Sequence, residues 1–187
     1  LREIERSRPF LIGLLGDRYG WRPPAGRLRE AAGEAGFDAD LEGRSVTELE
    51  ILYGVLRDTD QARRSWFYFR EPLPYAAMPR QVAARYSDAF SDEAAAAGNA
   101  ARLAALKTRV VDALPGRVRT YAASWDAEAQ AVNGLEAWGA QVLDDLWSDL
   151  EAETLEFLRQ APRTWQDQDG WALDEVLGGP AEPKATL

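Results

Sequence analysis

The sequence predicts an α/β domain built on a mainly parallel sheet, with about three strands in this chain and a long helix near its C-terminal end. Three observations predict it. Short apolar or aromatic runs at residues 10–15 and 65–70, and a weaker strand signal at 117–121, are separated by stretches with helical periodicity, the pattern of βαβ units. The first two runs are continuous rather than alternating, as in strands buried on both faces. A helical pattern then persists over residues 135–160.

Residues 1–8 read as the last turns of a helix stopped before Pro9. Phe10-Leu11-Ile12-Gly13-Leu14-Leu15 is the first strand, and Gly16-Asp17-Arg18-Tyr19-Gly20-Trp21-Arg22-Pro23-Pro24 is a rigid, turn-rich loop after it. A short helix is expected over residues 27–35. Ser45-Val46-Thr47-Glu48 is a capping box, followed by Val46, Leu49, Tyr53 and Leu56 as one apolar stripe. Ser65-Trp66-Phe67-Tyr68-Phe69-Arg70 is the second strand, and Pro72, Pro74 and Pro79 enforce a loop beyond it. Ser91-Asp92-Glu93 opens an alanine-rich helix reaching Leu114, with Leu103, Leu106 and Val110 as its apolar face and Gly98-Asn99 as a possible break. Residues 117–121 form the third strand. The last helix buries Leu135, Trp138, Val142, Leu146 and Leu150 and stops before Pro162. The domain is thus placed at residues 1–161, with 162–187 as a linker or docking tail whose Trp165, Trp171 and Leu173 could dock back. Three strands are few for such a sheet, and the chain opens mid-helix without Met, so the domain is expected to lack N-terminal elements.

Composition narrows the chemistry. A chain of 187 residues with 46% hydrophobic and 28% charged residues is an ordinary globular domain. It has no cysteine and no histidine, which excludes disulfides, cysteine–zinc sites and every Ser-His or Cys-His arrangement within the chain. A net charge of −9 repels phosphate backbones and argues against nucleic-acid binding. No apolar run approaches the ~20 residues of a membrane span. The acidic residues Asp144, Asp145, Asp149, Glu151 and Glu153 of the last helix read as its solvated face rather than a metal site. The arginine-over-lysine, alanine-rich composition suggests a high-GC bacterial genome.

Two places could carry chemistry. Gly16, Asp17, Arg18 and Tyr19 lie at the carboxyl end of a strand, where open α/β sheets bind ligands. The arginines there could meet a phosphate or carboxylate; equally, the glycines serve turn geometry and the arginines pair with Asp17. The spacing is neither a dinucleotide fingerprint nor a P-loop. The second place is the helix start. Glu48, at N3, is expected to fold back and cap Ser45, pointing away from the buried stripe, while Glu50 falls beside Val46 at its edge. Glu50 is therefore the better carboxylate for a cleft, or else an ordinary charge at the core boundary. The aromatic strand reads as core, and Arg63, Arg64 and Arg70 beside it as solvated or paired.

Three segments, Arg8 to Trp21, Val46-Thr47-Glu48-Leu49-Glu50-Ile51 and Phe67-Tyr68-Phe69-Arg70-Glu71-Pro72, together resemble a TIR-like domain of unknown function. That domain precedes NACHT modules in telomerase-associated and NACHT/WD-repeat proteins and in bacterial sensor NTPases of the STAND class. The resemblance covers residues 1–72 well and the rest loosely. It implies a flavodoxin-like, TIR-like three-layer sandwich without its initial strand–helix–strand segment, so that strand 10–15 lacks a neighbour. It implies a cytoplasmic signalling domain that associates with itself or with downstream NTPase and repeat modules of the same protein, with no resident cofactor, no metal and no membrane. Enzymatic relatives cleave the N-glycosidic bond of NAD or a related nucleotide through a helix glutamate. Carried onto this chain, that role falls on Glu50 in a Thr47-x-x-Glu50 pattern or on Glu48 in a Glu48-Leu49 alignment. Gly16, Asp17, Arg18, Tyr19, Trp21 and Thr47 would line the ligand site.

Overall fold

A short run of apolar residues with no polar alternation is expected to be covered on both faces. The strand at 65–70 meets that expectation, with residues 65–69 buried, whereas in the strand at 11–15 buried or half-buried positions alternate with exposed ones. The computed structural model describes residues 10–24, 43–92, 96 and 98–160; the helices expected over 1–8 and 27–35 and the tail from 162 lie outside the described residues. In order come β1 (Leu11–Leu15), α1 (Val46–Gly54), α2 (Thr59–Arg63), β2 (Ser65–Arg70), a 3-10 turn (Tyr75–Ala77) and α3 (Arg80–Tyr86). A second 3-10 turn (Asp88–Phe90), α4 (Asn99–Ala113), β3 (Val118–Tyr121), β4 (Ser124–Asp126), β5 (Ala131–Asn133) and α5 (Glu136–Gln160) complete the chain. It divides into two units, Leu1–Leu143 and Asp144–Leu187, and α5 runs from the first into the second.

The sheet of the first unit has the order β1-β2-β3 and is parallel throughout, with Gly13 beside Phe67 and Phe69 beside Thr120. β2 is central and its Phe67 and Tyr68 are fully buried. Alternate residues divide between two layers. On one face Leu15, Phe67 and Phe69 pack with Ile51 within α1 and Val55 just after it, and with Leu106, Val110 and Leu114 of the α4 segment. On the other, Trp138 of α5 stacks on Tyr121 at 4.9 Å and meets Tyr68 edge-on at 6.3 Å. A second core cluster of Leu73, Met78 and Ala83 is covered by Tyr75, Tyr86, Phe90 and the β4–β5 hairpin residues Trp125 and Val132.

Gly13 is required by the pairing. The Phe67 ring lies flat against it, so a methyl at that Cα would overlap Cδ1 and Cε1 and sit 3.1 Å from Cζ. Among the described residues β1 pairs only with β2, so its other edge carries no strand, and Ile12 and Leu14 are 42% and 52% exposed.

Several local expectations are corrected. The buried residues around α1 are Ile51, Leu52 and Val55, while Val46, Leu49, Tyr53 and Leu56 are half-buried. The segment is apolar on more than one side, so periodicity alone could not choose the face. α4 starts at Asn99, after Gly98 in the left-handed region (φ 77°), rather than at Ser91, although its buried Leu103, Leu106 and Val110 are as expected. Leu150 is 46% exposed instead of buried. The α3 helix and the β4–β5 hairpin were not expected; both stand where prolines and short polar stretches hide periodicity.

A Gly13→Ala variant is expected to lose about 1–3 kcal/mol, because the fully buried Phe67 ring cannot move without disturbing its packing with Ile51, Val55, Leu106 and Val110. Gly139→Ala, on α5 with nothing within 4 Å of the added methyl, is expected to gain roughly 0.5–1 kcal/mol. Urea unfolding midpoints of the two variants should therefore move in opposite directions.

Candidate functional site at the carboxyl end of the sheet

Parallel strands end together, and β1 delivers Gly16 and Asp17 beside Arg70, the last residue of β2. Arg70 is nearly buried, with 11% of its side chain exposed, so its charge must be answered locally. Its Nη2 donates to Asp17 Oδ2 at 3.2 Å and to the carbonyl of Tyr86 at 3.3 Å. Tyr75 Oη lies 2.9 Å from the same nitrogen and donates to Asp17 Oδ2 at 2.5 Å. Arg70 Nε is buried without a hydrogen-bond partner. A side chain at Gly16 would crowd the guanidinium: an added Cβ would stand 3.1 Å from Nη2. Arg70 is thus paired rather than solvated. Half-buried Lys107 lies 5.4 Å over the Phe69 ring, and burial pushes its ammonium below its ordinary pKa, with Asp17 opposing.

The next residues are tied to a second carboxylate. Asp88 is buried; it accepts from the Tyr19 amide at 2.8 Å and from Asn99 Nδ2 at 3.0 Å, and Arg18 Nε approaches it at 3.4 Å. Arg18 is otherwise half-exposed. Tyr19, 1% exposed, turns inward and donates its hydroxyl to Glu48. Gly20 has φ 96°, and an added Cβ would press on Thr47 Oγ1 at 3.1 Å, so glycine is the residue that fits. Trp21 accepts the Val46 amide at its carbonyl, while its indole is 62% exposed.

The two glutamates of α1 exchange the exposures expected of them. Ser45 caps the helix, accepting the Glu48 amide at 3.1 Å. The Glu48 carboxylate does not return to Ser45; it is 13% exposed and held by Tyr19 and by Arg44 at 2.5 Å. Glu50 is exposed and stands with Thr47 on a groove of about 450 Å³ that runs between α1 and the open edge of β1, over Leu11, Gly13 and Leu15.

The nominated residues therefore separate. Gly16, Asp17, Arg18 and Tyr19 join Arg70, Tyr75 and Asp88 in a hydrogen-bonded cluster; Thr47 and Glu50 line the groove; Glu48 joins the cluster through Tyr19. Sequence reasoning missed Tyr75, Asp88 and Asn99. Among the described residues, no group of three or more Asp or Glu side chains could hold a metal ion.

No protein-family model matches the chain, and no solved structure matches it. It is similar to telomerase protein component 1 of Rattus norvegicus, 30% identical over 182 residues that make up 95% of this chain. It is likewise 30% identical over 161 residues, 83% of this chain, to telomerase protein component 1 of Mus musculus. The chain spans only 6% of the length of these curated relatives. No helix among the described residues is long and apolar enough to cross a membrane.

Burial raises the Tyr19 hydroxyl above its ordinary pKa of 10.0, and its bond to Glu48 adds to the shift. Burial and the bond to Asp17 do the same, more strongly, for Tyr75. The folded chain holds these protons more tightly than the unfolded chain, so stability is intact below pH 10.0 and falls as pH climbs through the raised values. Tyr19→Phe and Tyr75→Phe should each flatten that alkaline fall in urea titrations repeated across pH, at a cost of about 1 kcal/mol at neutral pH.

Proposed function

We propose that this chain is a protein-interaction domain of a larger intracellular sensor protein, TIR-like in type and adjoining a NACHT-class NTPase, which assembles when that protein oligomerises. Its interaction domain spans residues 1–161, and its compartment is the cytoplasm. The observation that carries this reading is the edge of β1: a parallel strand that pairs on one edge only among the described residues, with two exposed aliphatic side chains and a groove beside it. Unpaired strand edges are templates for another strand. The similarity to a segment of telomerase protein component 1, itself named as a component, supports membership of a larger assembly.

A second reading, cleavage of the N-glycosidic bond of NAD or a related nucleotide, draws on the two α1 carboxylates. Glu48 is engaged by Tyr19 and Arg44, whereas Glu50 is exposed on the groove beside Thr47. Glu50 is the carboxylate available to stabilise an oxocarbenium-like ribose carbon.

Sedimentation velocity at rising concentration tests the first reading. The wild-type chain should gain mass, and Ile12→Lys with Leu14→Lys should stay monomeric with unchanged circular dichroism, since charged edges block strand addition. A wild-type chain that is monomeric at every concentration removes the reading. Nicotinamide release from NAD tests the second: Glu50→Ala should abolish turnover while Glu48→Ala mainly lowers stability, by about 1–3 kcal/mol, through the orphaned Tyr19 hydroxyl.

A further inference from the structure

The second unit holds the greater part of α5, and its composition is uneven around the helix. Trp147, Leu150 and Phe157 are 57%, 46% and 62% exposed. With Thr154 between the last two they recur at intervals of three, four and three residues, the spacing of a coiled-coil seam. At ~100° per residue these four positions fall within about 80° of arc, a stripe narrow enough to fit one helix. Leu146, half-buried, widens the stripe on one side.

The borders of the stripe are acidic. Asp144 and Glu151 lie on one side and Glu153 on the other, and the Trp147 indole donates to Glu151 Oε1 at 2.6 Å, drawing that carboxylate along the rim. From Asp144 to Gln160 the helix carries six acidic residues and a single basic one, Arg159, which lies 3.7 Å from Glu156. We propose that this face of α5 docks a partner helix that is amphipathic and basic: an apolar seam for Trp147, Leu150 and Phe157, flanked by lysines or arginines facing Asp144, Glu151 and Glu153.

Charge selects this occupant over the others. A second copy would bring the same acidic borders together in either orientation, within a chain of net charge −9. Residues 163–187 are themselves acidic, with five Asp or Glu against Arg163 and Lys184. An anionic lipid surface is repelled by the same borders. The inference shares only its class with the docking reading above; it uses a different surface and stands or falls separately.

The test is fluorescence anisotropy of the full chain with labelled peptides of about three heptads carrying leucine at a and d. One has lysine at e and g, one has glutamate there, and one is the lysine peptide in scrambled order. The lysine-flanked peptide should bind. Trp147→Ala with Leu150→Ala should weaken it roughly tenfold or more at unchanged helicity, and Asp144→Asn with Glu151→Gln should weaken it and reduce its salt dependence. Equal binding of the scrambled or glutamate-flanked peptide overturns the proposal, as does absence of binding. So does a wild-type dimer dissolved by Trp147→Ala with Leu150→Ala, which would make a second copy the occupant. Binding gained only when residues 163–187 are removed would assign the face to the tail and likewise overturn it. None of these outcomes touches the β1 edge, which is read by the Ile12 and Leu14 variants.

Discussion

The fold hangs on the placement of one ring. Phe67 stands at the middle of the central strand, fully buried, and lies on the backbone of Gly13. That contact fixes the spacing of β1 against β2 and lets α1 and α4 close over the same face through Ile51, Val55, Leu106 and Val110. The neighbouring Tyr68 turns to the opposite face and meets Trp138. Because side chains alternate along a strand, one residue's orientation at Phe67 assigns the layer of every other residue in β2. The strand ends then follow: Asp17 and Arg70 meet because β1 and β2 run parallel in register.

At those ends an acidic chain spends its carboxylates on structure. Asp17 answers a nearly buried arginine, Asp88 holds the Tyr19 amide and Asn99, and Glu48 takes a buried phenol and Arg44. Removing any one would strand a buried donor, the more expensive kind of loss. A carboxylate so engaged is a poor candidate for chemistry at the same place. Glu50, two residues from Glu48 and on another side of α1, has no such partner among the described residues and lines a groove.

β1 and β2 were legible because each is a short apolar or aromatic run between breakers, whereas β3, Val118-Arg119-Thr120-Tyr121, gave a weaker signal. The long helix was legible from its length. What could not be read was any role set by a distant partner. Arg70 lies 53 residues from Asp17, and Tyr19 lies 69 from Asp88, with nothing local to mark either pairing. Glu48 illustrates the limit: its N3 position correctly placed Ser45 as the cap, but the inward turn of Tyr19, 29 residues earlier, gave the carboxylate another partner. The α5 stripe shows the reverse case. Leu150 belongs to an apolar period as expected, yet it faces outward with Trp147 and Phe157, because apolar periodicity reports that a face exists and not what covers it.

The groove beside β1 joins the two functional readings in one space. Its floor is the backbone and side chains of β1, and Thr47 and Glu50 form its wall. A strand added to the edge of β1 that carries none among the described residues would lie beside the groove that Glu50 lines. It would exclude water from the carboxylate, which raises the strength of every electrostatic interaction there, and it would supply side chains the groove now lacks. On the two proposed readings, assembly and chemistry would then be consecutive rather than rival: an incoming strand that left room beside Glu50 would enclose a pocket, and one that filled the groove would close it.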